Sequence, residues 1–444
     1  MNTIVLPQKK KRNWILIIIM ILLIIFTCII DKIYSNSFLQ NDIKITNEIQ
    51  KFFIINDSIS KTITYLNYGN SIMTICIIII IVYNYSNIYK SFLIFTMTSF
   101  LYYFSSWIKF FNQKFTPYYD KKIVNNKDIT FNIYYCGFGF GFPSTQTFVM
   151  VPFYLSLWKI YSISKPKVNK CFKIFLFVII FLLIICFSTA TIISGSHYFS
   201  QVIFSFILGI FFYCIIFYGL KLDLQNGDEL YKIIKYKIYF YILIYFILFV
   251  PLIIAFLLLL DNDNNNNKFD GCKIHNEEKS QFLENEKGYE YFLKGSFVYT
   301  GIFIANFFCI LGIKCELFFI FKDHKTNWID FNFAKENLEN DNDDLNLNNT
   351  ITITKDAKWN NTTSLRSLLR VFVLFIISII SFLPYLFVSW DNEFYLIFIV
   401  KITLPIIIFD FVLFFLFKKI FTNSCFINNT IFITLDENEK KFIM

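Results

Sequence analysis

Ten blocks of mostly apolar residues divide this chain, at 14–30, 71–85, 91–111, 145–163, 172–193, 199–220, 238–260, 295–321, 369–390 and 394–417. A bilayer-spanning helix needs roughly 20 such residues. Blocks of this length leave few ways to fold. In hydrocarbon every backbone N–H and C=O needs a partner, and a helix supplies those partners within one segment. The expectation is an all-α, polytopic membrane protein with about ten transmembrane helices. Composition agrees. Hydrophobic residues make up 56% and charged residues 16%, against about 25% charge in soluble domains, and the mean hydropathy is +0.54. Such values exclude a soluble enzyme, a disordered chain and a nucleic-acid binder. The 59 Phe and 27 Tyr fit a general compositional bias, so aromatic richness alone carries no functional argument. The first block reads as a retained anchor. It exceeds the ~7–15-residue core of a signal peptide, and Asp31 and Lys32 follow it without a small-residue cleavage pattern.

The net charge of +9 is spread through the loops, so it reads as membrane topology. Lys9, Lys10, Lys11 and Arg12 place the N-terminus in the cytosol. Alternation then puts Lys159, Lys165, Lys167, Lys170 and Lys173 on the same side, with Lys418 and Lys419 after the last span. Loops 31–70, 112–143, 194–198, 261–294 and 391–393 become lumenal or extracellular. Loop 112–143 breaks the charge trend with Lys114, Lys121, Lys122 and Lys127, which an anionic ligand would explain. Segments 261–268 and 336–363 are Asn- and Asp-rich and read as disordered.

Metal chemistry has little to work with. The three histidines are His197, His275 and His324, and no CxxC pattern occurs, so no zinc site or cofactor is expected. Cys136 and Cys272 share the predicted lumenal side, where a disulfide between them is one option.

Three short segments fall at one predicted membrane face. The first runs from Lys109 to Thr116 and Pro117, at the end of the third span. The second is Gly137-Phe-Gly139-Phe-Gly141-Phe-Pro143-Ser144-Thr145-Gln146, at the start of the fourth. Here Pro143 stops the preceding chain and Ser144 is a good N-cap. The free N–H groups of a helix start favour an anion. The third runs from Thr191 through Gly195 and His197 to Gln201, between the fifth and sixth spans. Taken singly, each has an ordinary reading: a capped membrane helix, a structural histidine, an interfacial lysine.

Taken together, the three segments resemble the type-2 phosphatidic acid phosphatase/haloperoxidase superfamily. Its signature is Lys-x6-Arg-Pro, then Pro-Ser-Gly-His, then Ser-Arg-x3-Gly-x-His-x3-Asp. Within it the Phe-Pro-Ser-Thr form of the second segment is most similar to the sphingosine-1-phosphate phosphatases, which carry Met-Pro-Ser-Thr-His. The resemblance covers about residues 70–222 and implies a six-helix phosphatase-like bundle core. It further implies that His197 holds the position of the nucleophile that attacks phosphorus. Lys109, Thr116, Thr191, Ser144 and Thr145 hold positions that clamp the phosphate. Gln146 stands where the family has the general acid, and Gln201 where it has the carboxylate that orients the nucleophile.

The departures weigh as much as the matches. Thr116 and Thr191 replace arginines, Gln146 replaces a histidine and Gln201 an aspartate. Loss of a general acid removes a factor of about 10²–10⁴. Each lost charged hydrogen bond removes about 1.5–3 kcal/mol, and such losses do not add within one catalytic unit. Compensation would have to come from Lys114, Lys121, Lys122 or His275.

The sequence therefore organises as a basic N-terminus (1–13), an anchor helix with a lumenal loop (14–70), a phosphatase-like membrane core (71–221), further membrane helices with polar loops at 261–294 and 322–368 (222–421), and a cytosolic tail (422–444). The expected function is that of a divergent lipid-phosphate phosphatase-like protein, impaired or inactive, that binds a membrane lipid phosphate. One alternative is an active phosphatase for sphingoid-base or related lipid phosphates at the lumenal face. Another is a membrane transporter, since Lys401 and Asp410 lie inside the last span with Lys314 and Glu316 as partners in the eighth. Lys440-Lys441, near a di-lysine register, points to the endoplasmic reticulum.

Overall fold

The computed structural model describes residues 13–53, 72–85, 88–114, 116–117, 140–164, 168–220, 238–261, 288–323, 364–383 and 397–416. Most of these residues are helical and none of them lies in a strand. A helix lies at each of the ten predicted spans. They are α1 (Trp14–Phe53), α2 (Ile72–Tyr85), α3 (Ile88–Asn112), α4 (Thr145–Ser164), α5 (Lys170–Ile193), α6 (Phe199–Cys214), α7 (Ile238–Asp261), α8 (Gly288–Val298), α9 (Thr300–Asp323), α10 (Ser364–Ser381) and α11 (Leu404–Phe411). Helices α8 and α9 share the eighth block. α6 continues as a π-helical turn, Ile215–Gly219, and α11 lies between two more, Ile397–Thr403 and Val412–Leu416.

Seven of the described stretches are long and apolar enough to cross a membrane. The chain is thus an integral membrane protein. The second, fourth and ninth predicted spans fall outside that set: α2 has only 14 residues, the apolar part of α10 is Val371–Ser381 alone, and α4 fails for a physical reason. α4 carries Thr145, Gln146, Thr147, Ser156 and Lys159, and residues 147–156 are buried without a break. Other helices surround it, so it needs little lipid-compatible surface. α5 is the opposite case: Phe172, Phe175, Leu182 and Ile185 are exposed along it, as lipid-facing side chains should be.

Residues 71–221 supply five described helices, α2 to α6. The sixth partner of this core is α1, which packs along α6 and α5. α3 carries the core onward, contacting α4 on one side and α9 on another. Aromatic rings fill the centre: Phe212 of α6 meets Phe104 of α3 and Phe148 of α4, with ring centroids 4.8 and 5.4 Å apart. At the predicted cytosolic end, the Trp158 indole N–H donates to the Lys173 carbonyl and the Lys173 ammonium to the Ser162 carbonyl, closing the α4–α5 hairpin.

Helices α4 and α6 approach closely at Gly209. A Cβ there would lie 2.8 Å from Val151 Cβ and 3.2 Å from the Phe148 carbonyl oxygen. Small residues let membrane helices approach in this way. Replacing Gly209 with alanine gains about 1 kcal/mol of helix propensity, whereas overpacking costs about 1–3 kcal/mol. Gly209→Leu should therefore lower the thermal midpoint of the detergent-solubilised protein well below that of Gly209→Ala. Equal midpoints for both variants and the parent would contradict this packing.

Candidate functional site

The third segment is built by the way α5 ends. Gly195 has φ +72°, a left-handed conformation that favours glycine. Its N–H donates to the Ile192 carbonyl, and the Ser196 N–H to the Thr191 carbonyl. This double closure is the Schellman stop of a helix. It turns the chain so that His197 stands just before α6 begins. His197 is half-buried, and its Nδ1 is enclosed without a hydrogen-bond partner among the described residues. Burial, followed by the nearby Lys109 ammonium, holds the imidazole well below its ordinary pKa, against the opposing pull of Gln201 and the Gly141 backbone. At neutral pH the ring is therefore uncharged, the form in which a histidine nitrogen can act as a nucleophile.

Gln201 sits in the first turn of α6. Its Oε1 accepts the Tyr198 N–H at 3.1 Å, so the side chain caps its own helix while touching His197. Gly141 makes room for it, since a Cβ there would lie 2.6 Å from Gln201 Nε2.

The second segment is pinned to the third by one hydroxyl. Ser144 N–H donates to Ser205 Oγ at 2.7 Å, and Ser205 Oγ donates in turn to the Gln201 carbonyl. Ser144 is fully buried, and its hydroxyl donates to Thr147 Oγ1 at 3.3 Å. The Thr145 hydroxyl lies 3.0 Å from that of Ser105 on α3. Gln146 is half-buried beside it.

The first segment closes the site from α3. Lys109, in its last turn, is buried and close enough to His197 to act on its charge. The chain then turns at Gln113, with φ +49°, and the Lys114 carbonyl accepts the Gly141 N–H at 2.6 Å. The structure thus brings the predicted residues Lys109, His197 and Gln201 together, with Ser144 and Thr145 tied to the same framework. Thr191 points elsewhere: it is buried, and its hydroxyl donates to the Ser188 carbonyl of its own helix. Thr116 is buried with its hydroxyl unpartnered among the described residues, as are both amide atoms of Asn112. Buried polar atoms of this kind are the ones a polar ligand can satisfy. Lys121, Lys122, His275, Cys136 and Cys272 lie outside the described residues.

What sequence reasoning missed is the outer half of α1. The helix continues past the predicted end of the first span at residue 30 to Phe53. Its 40 residues measure roughly 60 Å at about 1.5 Å each, twice the ~30 Å hydrocarbon layer. The excess lies over the ends of α5 and α6. Gln50 Nε2 donates to the Ile192 and Ile193 carbonyls, both at 3.2 Å. Thr46 Oγ1 accepts the Phe199 N–H at 3.2 Å. Asp42 accepts the Ser200 N–H at 2.9 Å and the Ser200 hydroxyl as well. That carboxylate caps the start of α6, where the helix dipole favours negative charge. Burial nonetheless lifts its pKa above the ordinary carboxylate range, with the Ser200 hydrogen bonds acting in the opposite direction. A signal for all this is present: Asp42, Thr46 and Gln50 recur every four residues, one helical face.

Asp31 supplies the other clasp. Its Oδ1 lies 2.9 Å from Lys114 Nζ, with the two side chains 0% and 11% exposed. Lys114, a candidate to replace a lost arginine, is thereby held by a carboxylate of α1. Breaking such a buried pair from one side costs about 3–5 kcal/mol, because the remaining charge is left alone. Lys114→Ala should therefore destabilise the protein more than the Asp31→Asn/Lys114→Ala double variant does, as read by thermal unfolding in detergent. Additive effects would show that the pair is not coupled.

Residues 90–223 match the family model of the PAP2 superfamily. The match spans the four helices α3 to α6, which carry all three segments. Neither the comparison with curated proteins nor that with solved structures gave a match.

Proposed function

We propose that this protein is a divergent lipid-phosphate phosphatase-like membrane protein, of the sphingosine-1-phosphate phosphatase type, that has lost most or all catalytic power and retains a site for a lipid phosphate at the non-cytosolic face. The observation that carries this reading is how the neutral replacements are used. Thr191 binds its own helix and Gln201 caps its own helix. Neither group brings charge to a phosphate or to an imidazolium. A neutral partner for a catalytic histidine can cost orders of magnitude in rate, as when the aspartate of a serine-protease triad becomes asparagine. A glutamine at position 146 has no proton to give a leaving alcohol. Lys109 lies close enough to His197 to act on its charge, and a single matched lysine among the described residues suits binding better than turnover.

A second reading, an active lipid phosphatase, draws on His197 itself. The ring is neutral and lies beside a lysine, and the unpartnered Asn112 and Thr116 atoms stand near the end of α3. Phosphate release from sphingosine-1-phosphate and phosphatidic acid by purified protein separates the two. The expected result is little or no release above a His197→Ala control. Single reversions should change this little, because such a site works as a unit. Thr116→Arg, Gln146→His, Thr191→Arg and Gln201→Asp together should bring measurable turnover. Robust His197-dependent release by the unaltered protein would overturn the proposal in favour of the second reading.

A further inference from the structure

Outside the PAP2-matched region, one buried group has no role in the site above. Asp410 on α11 is 0% exposed, and neither carboxylate oxygen has a hydrogen-bond partner among the described residues. Its identified neighbours are neutral groups. Cys76 of α2, Cys309 of α9 and Tyr245 of α7 are near enough to feel its charge. Tyr245 belongs to a polar chain across the bundle: Asn306 Nδ2 donates to its hydroxyl at 2.8 Å, and Thr96 Oγ1 donates to Asn306 Oδ1 at 3.2 Å. Lys401, nine positions earlier, is buried too but gives Asp410 no hydrogen bond.

The helix around Asp410 is irregular on both sides, with π-helical turns at Ile397–Thr403 and Val412–Leu416. The first is held by Thr403 Oγ1, which donates to the Phe398 carbonyl at 2.6 Å. Gly301 of α9 lets Thr403 approach, since a Cβ there would collide with its hydroxyl. π-helical turns inside helices concentrate at functional sites. A carboxylate kept out of water without a cation or hydrogen bonds is untenable. A carboxyl so placed must hold a positive species, and ionisable groups inside a bundle mark ion and proton routes.

We propose that Asp410 is an intramembrane proton-binding site, at which the carboxyl holds and exchanges a proton within the packing of α9, α10 and α11. The neutral thiol, phenol and amide neighbours suit a proton. A metal ion would need several ligands, and among the described residues no three His, Cys, Asp or Glu side chains gather to hold one.

Dicyclohexylcarbodiimide, which adds to protonated carboxyls in apolar surroundings, tests this on the full chain in sodium-free detergent solution near pH 7. Mass spectrometry should find the adduct on Asp410 in the folded protein, and labelling should fall as pH rises. Added sodium should leave it unchanged. Asp410→Asn should fold, with an unaltered thermal midpoint, and lose the adduct. Labelling of Asp410 only after denaturation would overturn the proposal. Protection by sodium would overturn it in favour of a metal-cation site. The adduct reads the native chain, so the result does not depend on the variant's folding.

Discussion

The Ser205 hydroxyl holds the arrangement together. It accepts the Ser144 N–H at the start of α4 and donates to the Gln201 carbonyl in the first turn of α6. Buried at the start of α4, the Ser144 N–H cannot turn to water and needs a protein partner. The Ser205 hydroxyl supplies it while bonded back onto its own helix, and so fixes the two helix starts against each other. Gly209, one turn farther along α6, allows the contact by admitting the α4 backbone. With those helices in register, His197 and Gln201 are delivered to the face where Lys109 ends α3.

The outer half of α1 then closes over that face. Its hydrogen bonds go to the ends of two helices: the Ile193 carbonyl and, beside the Gly195 N–H that already bonds it, the Ile192 carbonyl at the end of α5, and the Phe199 and Ser200 N–H groups that α6 leaves unpaired at its start. Apolar contacts accompany them. Leu39 and Ile43 pack on Tyr198, and Ile49 and Phe53 on Ala190 and Ile193. The Asp31–Lys114 pair fastens the same helix to the segment after α3. The central claim is that the PAP2-matched core is capped, at the face that carries Lys109 and His197, by a helix from outside the family-matched region.

The helices are legible in the sequence because apolar blocks of bilayer length admit little else, and each predicted block holds at least one, seven of the described stretches being long and apolar enough to span. The spacing of Lys109, Ser144 and His197 is also legible, since motifs of fixed register survive as local sequence. Two things are not. The predicted lumenal stretch after residue 30 is polar enough to read as a loop; Asp42, Thr46 and Gln50 recur at helical spacing, but the backbone groups they bond lie 142 to 158 residues away and are not visible locally. The purposes of Thr191 and Gln201 are hidden for the same reason. A side chain that bonds its own helix and one that reaches a ligand look alike in sequence. Gly195, uninformative when read alone, is explained by the left-handed φ that ends α5.

Cross-linking between α1 and α5 tests the central claim most directly. In a variant cleared of other cysteines, Ile49→Cys and Ile193→Cys should join rapidly on mild oxidation in intact membranes, since those side chains lie in one apolar cluster. A pair placed on the lipid-facing side of α5, Ile49→Cys with Leu182→Cys, should not. Absence of the 49–193 bond, or equal joining of both pairs, would contradict a cap formed by α1.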